Sequence, residues 1–176
     1  MYCKKCKQEI NQEAQFCPCC GTRTGVSDKP MKWFKFIIYF QLFITALVDF
    51  RNAGYYFTGL IYGDFETAKA VYTKFSSMRQ VDIAFGILSI GLIILALYAR
   101  SRLAHFHANG PKVYFYYLIF TNLPTILYPL LTSITTGIAF SELVSADIGT
   151  SVGGVIAMLI WNVQYFNERK HLFTNP

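Results

Sequence analysis

The run of residues 83–99 is seventeen residues long and carries no charged side chain, and Asp82 and Arg100 bracket it. A helix rises about 1.5 Å per residue, so the run is about 25 Å long and approaches the ~30 Å hydrocarbon core of a bilayer. The two bracketing side chains can extend toward the polar edges. A buried helix of a soluble protein normally keeps a polar stripe, whereas this run has only Ser89. The sequence therefore predicts a transmembrane helix over residues 82–100.

The composition of the chain also favours a membrane protein. Hydrophobic residues make up 53% of the 176 residues and charged residues 15%, which is too little charge to cover several soluble domains. The first residues, MYCKKCKQEI, lack the apolar centre of a secretory signal. We therefore expect no cleaved peptide, so the first membrane helix must direct insertion.

Four segments are apolar enough to be predicted as membrane helices. The predicted spans cover residues 33–52, 82–100, 112–132 and 148–166. The predicted fold class is an all-α membrane protein with four transmembrane helices and a small N-terminal four-cysteine zinc ribbon. Its expected parts are the ribbon at 1–25, a linker at 26–32, the transmembrane domain at 33–170 and a cytoplasmic tail at 171–176.

All five cysteines lie near the N-terminus. Cys3 and Cys6 form one C-x2-C pair, Cys17 and Cys20 form a second, and ten residues separate the pairs. Two such pairs supply four thiolates, which close a tetrahedral shell around Zn²⁺ and leave no position for water. The segment is too short to bury a useful hydrophobic core, so the metal must provide most of its folding energy. The spacing therefore favours a structural zinc site over a disulfide pair or a disordered tail, with Cys19 as a spare thiol.

The cysteine segment resembles the N-terminal zinc ribbons of many small bacterial multi-pass membrane proteins, which have the form Y-C-x-x-C ending in F-C-P-x-C-G. The matching residues are Tyr2, Cys3, Cys6, Ala14, Phe16, Cys17, Pro18, Cys20 and Gly21. The chain departs from this pattern at Lys7, where such ribbons usually carry glycine, and at the additional Cys19. The resemblance covers roughly the first 25 residues. It implies a bacterial membrane protein without implying an activity.

Asp49 is the acidic residue of the first predicted span. It lies about 24 Å along the helix from Trp33, which brings it close to the opposite headgroups. An interfacial position is therefore the favoured interpretation. The alternative is an ionisable group that works inside the membrane.

Asn122, Pro124 and Pro129 interrupt the third predicted span. Each proline frees a carbonyl from helical hydrogen bonding, so we expect a kink. Broken helices build ion or substrate sites in transporters, whereas prolines in membrane helices also serve packing alone. The alternative to a non-transporting protein is therefore a small transporter or channel. Its path would be lined by Asp49, Asn122, Pro124 and Pro129.

Residues 51–80 are predicted to lie outside the first two spans. Apolar residues recur every three or four positions from Phe65 to Phe75, which predicts an amphipathic helix with Asp64 as its N-cap. Such a helix lies flat on the outer leaflet, caps the bundle or covers a substrate site as a lid.

Small residues line one face of the fourth predicted span. Gly149, Gly153 and Ala157 recur at every fourth position, and such a face lets another backbone approach closely. The sequence favours packing against another span of the same chain, and a homo-oligomer is the alternative.

The basic residues fall mainly on one predicted side of the membrane. Of the 16 lysines and arginines, those between the first two spans are Arg51, Lys69, Lys74 and Arg79, and the others flank the termini or the 100–112 loop. The positive-inside rule therefore predicts a multi-pass protein of the cell membrane with its N-terminus and C-terminus in the cytoplasm. Residues 1–28 carry four basic and three acidic side chains, too little net charge for nucleic acid.

The sequence shows no nucleophile with a base, no paired carboxylates inside the bilayer, no phosphate-binding glycine loop and no open metal site. The predicted function is a non-enzymatic integral membrane protein whose cytoplasmic zinc ribbon serves as an interaction or sensing module. The expected cofactor is structural Zn²⁺. The expected partners are the lipid bilayer and a cytoplasmic protein bound through the ribbon.

Overall fold

The computed structural model describes residues 2–10, 17–22, 31–144 and 148–175. The chain divides into two compact units, Met1–Phe36 and Ile37–Pro176. Most of the predicted linker at 26–32, together with Ala14 and Phe16, lies outside the described residues.

Six helices of ten or more residues run through the described part of the chain. They are α1 (Lys32–Thr58), α2 (Phe65–Lys74), α3 (Met78–Ala104), α4 (Gly110–Phe120), α5 (Leu123–Thr136) and α6 (Ile148–Asn167). Within α1, residues Ile37–Gln41 form a π-helical turn. Shorter helical segments cover Leu60–Tyr62, Phe140–Leu143 and Lys170–Leu172.

Three helical stretches are long and apolar enough to cross a membrane. They are Lys32–Thr58, Met78–Ala104 and Gly110–Thr136, the last made of α4 and α5 together. The predicted helices are confirmed at these three places, and their length and composition are compatible with crossing a membrane. The fourth predicted segment is also a helix, α6.

Helix α3 packs against α1, α4 and α5. Its buried residues recur every three or four positions and include Asp82 and Ser89. Its exposed side chains are instead large and apolar: Ile83, Ile87, Ile90, Ile94 and Leu97. A soluble protein rarely exposes so much contiguous apolar surface, whereas lipid tails solvate it well. The burial pattern of α3 therefore supports a membrane location independently of its length.

The break in the third span confirms the predicted interruption. Helix α4 ends at Phe120, and α5 begins at Leu123 with Pro124 in its first turn. The side-chain amide of Asn122 donates to the carbonyl of Leu118 at 2.7 Å. This bond satisfies a backbone acceptor at the end of α4, which lipid could not do.

Helix α2 confirms the predicted cap. Asp64 precedes the helix in an extended conformation, and its carboxylate accepts a hydrogen bond from the Thr67 N–H at 2.7 Å. This hydrogen bond and a second, which the Thr67 hydroxyl donates to Asp64 Oδ2 at 3.0 Å, lower the pKa of Asp64. The negative charge at the N-terminus of α2 therefore stabilises the helix.

The turn between α3 and α4 is held by the C-terminal segment. Helix α3 ends at Ala104, and α4 begins at Gly110 with Asn109 as its N-cap residue and Pro111 in its first turn. The Ala108 N–H donates to the carbonyl of Asn175 at 2.8 Å, and the Asn175 side chain donates to the carbonyl of His105 at 2.6 Å. These contacts fix the turn across a long stretch of sequence.

Candidate functional site

The N-terminal unit brings four cysteines together. The sulfurs of Cys3, Cys6, Cys17 and Cys20 all lie within 4.8 Å of one another. The Cys3 and Cys20 sulfurs are 3.6 Å apart, and those of Cys6 and Cys17 are 3.4 Å apart. A tetrahedral ion with metal–sulfur bonds of about 2.3 Å places its sulfurs about 3.8 Å apart. The four sulfurs therefore fit a metal ion, and the exposed Cys19 lies outside the cluster.

The two cysteine pairs sit in loops with the same backbone hydrogen bonds. In the first loop the Lys7 N–H donates to the Cys3 carbonyl, and in the second the Gly21 N–H donates to the Cys17 carbonyl, both at 2.9 Å. Lys7 and Gly21 both adopt left-handed backbone conformations, with φ of 58° and 64°. The departure from the ribbon pattern at Lys7 therefore leaves the loop geometry intact.

The electrostatics of the cluster also suit a cation. Hydrogen bonds from the side chain and backbone of Thr22 lower the pKa of Cys20 to about 6, and the backbone of Cys6 lowers the pKa of Cys3. A backbone hydrogen bond at Gln8 lowers the pKa of Cys6, but desolvation and the neighbouring thiols outweigh it and raise this pKa to about 12. Several thiolates this close repel one another, and a bound cation removes that repulsion.

The buried core of the N-terminal unit is small. Its described members are Cys3, Ile10 and Cys17, with Cys20 packed against them. Three buried side chains cannot offset the ordering of this many backbone residues. Metal coordination would supply the missing folding free energy.

A polar cavity lies in the second unit between α1, α3 and α5. Its volume is about 380 Å³. Asp49 of α1, Ser89 of α3 and Thr125 of α5 contribute polar groups, while Pro124 and Pro129 form part of the wall. The helix break before α5 therefore lies beside a space that can hold a small molecule.

Asp49 lies on the face of α1 that points into the second unit, and its interfacial depth in a membrane stays a prediction. Helix α1 continues to Thr58, and the Asp49 side chain is only 7% exposed. Its Oδ2 atom has no hydrogen-bond partner. The distance from Trp33 predicts only a depth along the helix, and it could not show which face of α1 points into the bundle.

The structure brings together three of the four residues predicted for a transport path. Asp49, Pro124 and Pro129 line the same cavity. Asn122 lines a separate apolar cavity of about 440 Å³ beside α6, and its amide is engaged with Leu118. Asn122 therefore has a role in closing the end of α4 and none in the wall of the Asp49 cavity.

The sequence did not lead us to expect a buried carboxylate next to this cavity that three tyrosine hydroxyls surround. Asp82 is fully buried and accepts hydrogen bonds from three tyrosine hydroxyls: Tyr62 at 3.0 Å, Tyr72 at 2.7 Å and Tyr128 at 2.9 Å. Burial raises the pKa of Tyr62 and of Tyr72, so both hydroxyls stay protonated and can donate. We define these four residues as the tyrosine cluster.

Two signals in the sequence pointed to the tyrosine cluster. Asp82 stands four residues into α3, where an acid that reaches the headgroups is also expected, and tyrosines are frequent in the 55–72 segment. Tyrosines are also common at membrane interfaces, so neither signal is specific. Only the fold shows that α2 and α5 converge on Asp82.

The small-residue face of α6 is open in the single chain. Gly153 and Ala157 are exposed, and a Cβ atom added at Gly153 would meet no atom within 4 Å. The surroundings of Gly149 lie outside the described residues. At Gly153 the structure therefore gives no support to the prediction that this face packs against another span of the same chain.

Comparison with known protein families, with curated proteins and with solved structures finds no match. The class of the protein therefore follows from its own fold and sites. It is an α-helical protein with three helices able to cross a membrane and a cluster of four cysteines able to hold a metal ion.

Proposed function

We propose that this protein is a non-enzymatic membrane protein whose N-terminal unit is a zinc ribbon that serves as an interaction or sensing module. The observation that carries the proposal is the cluster of four sulfurs within 4.8 Å. Four thiolates complete the tetrahedral shell of Zn²⁺, so the metal would be structural and would have no position for a reacting water.

The exposed surface of the ribbon supports an interaction role. Tyr2 is 71% exposed beside the buried Cys3. Tyrosine is enriched at the energetic centres of protein interfaces, because it combines a large contact area with a polar hydroxyl. The partner that we propose is a cytoplasmic protein.

The proposed topology has four spans and places both termini in the cytoplasm. Helix α6 is 20 residues long, and its sequence carries no charged residue. That length is enough for about 30 Å of hydrocarbon. The cytoplasm is reducing, which keeps the cysteines available for metal. The resemblance to bacterial zinc-ribbon proteins suggests the bacterial cell membrane.

Partner capture from native membranes tests the interaction role. Full-length wild type, Cys17→Ser and Cys19→Ser are cross-linked in cells and purified in detergent. We expect the same captured protein with wild type and with Cys19→Ser, which keeps the four clustered sulfurs, and its loss with Cys17→Ser. Identical partner sets for all three chains would contradict an interaction role for the ribbon.

A second candidate function is the passage of a small solute through the bundle. The cavity beside the break between α4 and α5, with the unpartnered Asp49 in its wall, favours it. The test is flux of tetramethylammonium into liposomes that contain the purified protein. We expect flux to fall with Asp49→Asn and to persist with Asn122→Leu. Equal flux for wild type and Asp49→Asn would remove this candidate.

A further inference from the structure

Asp49 is a buried acid without a partner in the described structure. Its side chain is 7% exposed, and its Oδ2 atom accepts no hydrogen bond. A carboxylate that is buried in a membrane helix without compensation is unfavourable, so such groups are usually paired or bind a ligand. The Asp49 side chain lines the cavity of about 380 Å³. A molecule in that cavity could therefore supply a partner for the Asp49 Oδ2 atom.

The charge of the cavity wall defines the charge of this partner. The described residues that line the cavity include no lysine, arginine or histidine. Asp49 is the one lining residue in this described set that can carry a negative charge. A ligand that satisfies it must donate hydrogen bonds or carry positive charge, and a single charge is sufficient.

The other residues that line the cavity favour an organic cation over a bare metal ion. Tyr56 and Tyr128 present aromatic rings, with centroids 5.2 Å apart, and Leu92 and Val144 add apolar surface. A dehydrated metal ion needs about six oxygen ligands within ~2.6 Å, which calls for a much smaller and more polar site. Aromatic rings and a carboxylate are the groups that recognise ammonium ions in proteins. A cavity of this size also suits a small organic molecule.

We propose that the Asp49 cavity binds a small organic ammonium ion. The positive nitrogen lies against the Asp49 carboxylate, and the carbon groups contact Tyr56, Tyr128 and Leu92. The inference deepens the second candidate function, because it names what the cavity would take. Ligand binding and solute flux are measured in separate experiments. If the protein binds the ammonium ion but shows no flux, the second candidate function is wrong and the ligand assignment still holds.

Tyr128 links this cavity to the tyrosine cluster. Its hydroxyl donates to Asp82 at 2.9 Å, and its ring packs edge-on against Phe85 with centroids 5.1 Å apart. Both contacts fix the ring in the cavity wall. Tyr128 is thus a contact residue for the ammonium ion, and Asp82 is a positioning residue that acts through it.

Calorimetric titration of the full-length protein tests the proposal. The protein is placed in phosphatidylglycerol nanodiscs, and the probe is tetramethylammonium, with protein-free nanodiscs as the blank. We expect saturable binding, at least about tenfold weaker binding with Asp49→Asn, and unchanged binding with Glu142→Gln. Glu142 is a matched control because it is an exposed acid next to the lining residue Leu143.

A second variant covers the case in which Asp49→Asn does not fold. Val144→Phe adds volume at a partly exposed wall position and keeps Asp49. We expect it to weaken binding by at least about tenfold as well, since it fills part of the cavity that Asp49 lines. Thermal unfolding of each variant identifies those that retain the fold.

The neutral compound tert-butanol has nearly the shape of tetramethylammonium and can donate only one uncharged hydrogen bond, so we expect it to bind at least about tenfold more weakly. Four results would each overturn the proposal. Two concern the wild type: no saturable binding of tetramethylammonium, or its displacement by equimolar Na⁺ or Mg²⁺. The other two are equal binding of tert-butanol and undiminished binding of tetramethylammonium to Asp49→Asn. Repeating the titration in phosphatidylethanolamine nanodiscs separates two sources of the ligand. Weaker binding there assigns the site to a lipid headgroup, and equal binding assigns it to a free ammonium compound.

Discussion

Lys7 holds a backbone conformation that glycine adopts more easily. Its φ of 58° matches the 64° of Gly21 at the equivalent position of the second cysteine loop. For a residue with a Cβ atom, this left-handed backbone conformation costs about 1 kcal/mol or more. The first loop is therefore the more strained half of the cysteine cluster.

Replacing this lysine should strengthen metal binding. We expect Lys7→Gly to lower the metal dissociation constant by about fivefold, the equivalent of about 1 kcal/mol. The measurement is competition with a chromophoric chelator on the purified protein. Gly21→Lys is the reciprocal variant and should weaken binding by a similar factor. Unchanged affinity in both variants would show that backbone strain does not limit the site.

The substitution Asp82→Asn should destabilise the part of the bundle that contains the tyrosine cluster. An asparagine has one acceptor oxygen for three tyrosine donors, so we expect Asp82→Asn to lower the free energy of unfolding by about 3 kcal/mol. Unfolding in detergent followed by circular dichroism measures the loss. Asp64→Asn makes the same chemical change at the exposed cap of α2, where asparagine also caps well, and should change little. Similar losses in the two variants would argue against a special role for the tyrosine cluster.

At the residue scale, prediction from sequence succeeded where ligands are close in sequence. The spacing of Cys3, Cys6, Cys17 and Cys20 defined a cluster because each pair is local. Asp49 was recognised as an ionisable residue of the membrane segment, but its burial was not. The tyrosine cluster was missed because Tyr62, Tyr72 and Tyr128 reach Asp82 from three different elements.

At the scale of elements, the contact between α1 and α3 depends on one glycine. A Cβ atom at Gly86 of α3 would lie 2.8 Å from the ring of Phe57 of α1. Gly91 of α3 has no atom within 4 Å of its added Cβ position. The two glycines of the same helix therefore make a matched pair.

Adding a methyl group at the two glycines should have different effects. We expect Gly86→Ala to reduce stability by about 1–3 kcal/mol, because the ring of Phe57 must move in a packed interface. Gly91→Ala should leave stability unchanged or raise it slightly, since alanine is the better helix former. Thermal unfolding in detergent compares them. Equal melting temperatures for the two variants would show that α1 and α3 can adjust at no cost.

The helices themselves were largely predictable. The apolar runs located the three candidate spans, and Asp64 located the start of α2, because caps act locally. The helix ends were less predictable: α1 continues to Thr58 through Arg51, and α3 stops at Ala104. Those ends depend on contacts that are distant in sequence, such as the hydrogen bonds between the α3–α4 turn and Asn175.

At the scale of the whole molecule, a few polar groups are buried in the apolar core and many large apolar side chains are exposed. Asp49, Asp82, Ser89 and Asn162 are buried, while large apolar side chains of α1, α3 and α6 are exposed. Exposed apolar surface of this extent is unusual for a soluble helix bundle and agrees with lipid as the surrounding solvent.

Thiol labelling distinguishes three spans from four. With a membrane-impermeant maleimide on intact cells, we expect no reaction at Cys19 and reaction at a cysteine placed by Ser76→Cys, because residue 76 lies in the exposed segment between the first two spans. A cysteine placed by Thr174→Cys should behave like Cys19 if α6 crosses the membrane. Each introduced cysteine is read in a Cys19→Ser background. Labelling of residue 174 in intact cells would establish three spans.

The hydrogen bonds between Asn175 and the α3–α4 turn impose an order on assembly. A ribosome releases residues 105–108 long before it adds residue 175, so the turn is completed only when α6 has also been made. A chain that stops before residue 175 cannot make these hydrogen bonds. Its Ala108 N–H and His105 carbonyl then lack the partners that close the turn.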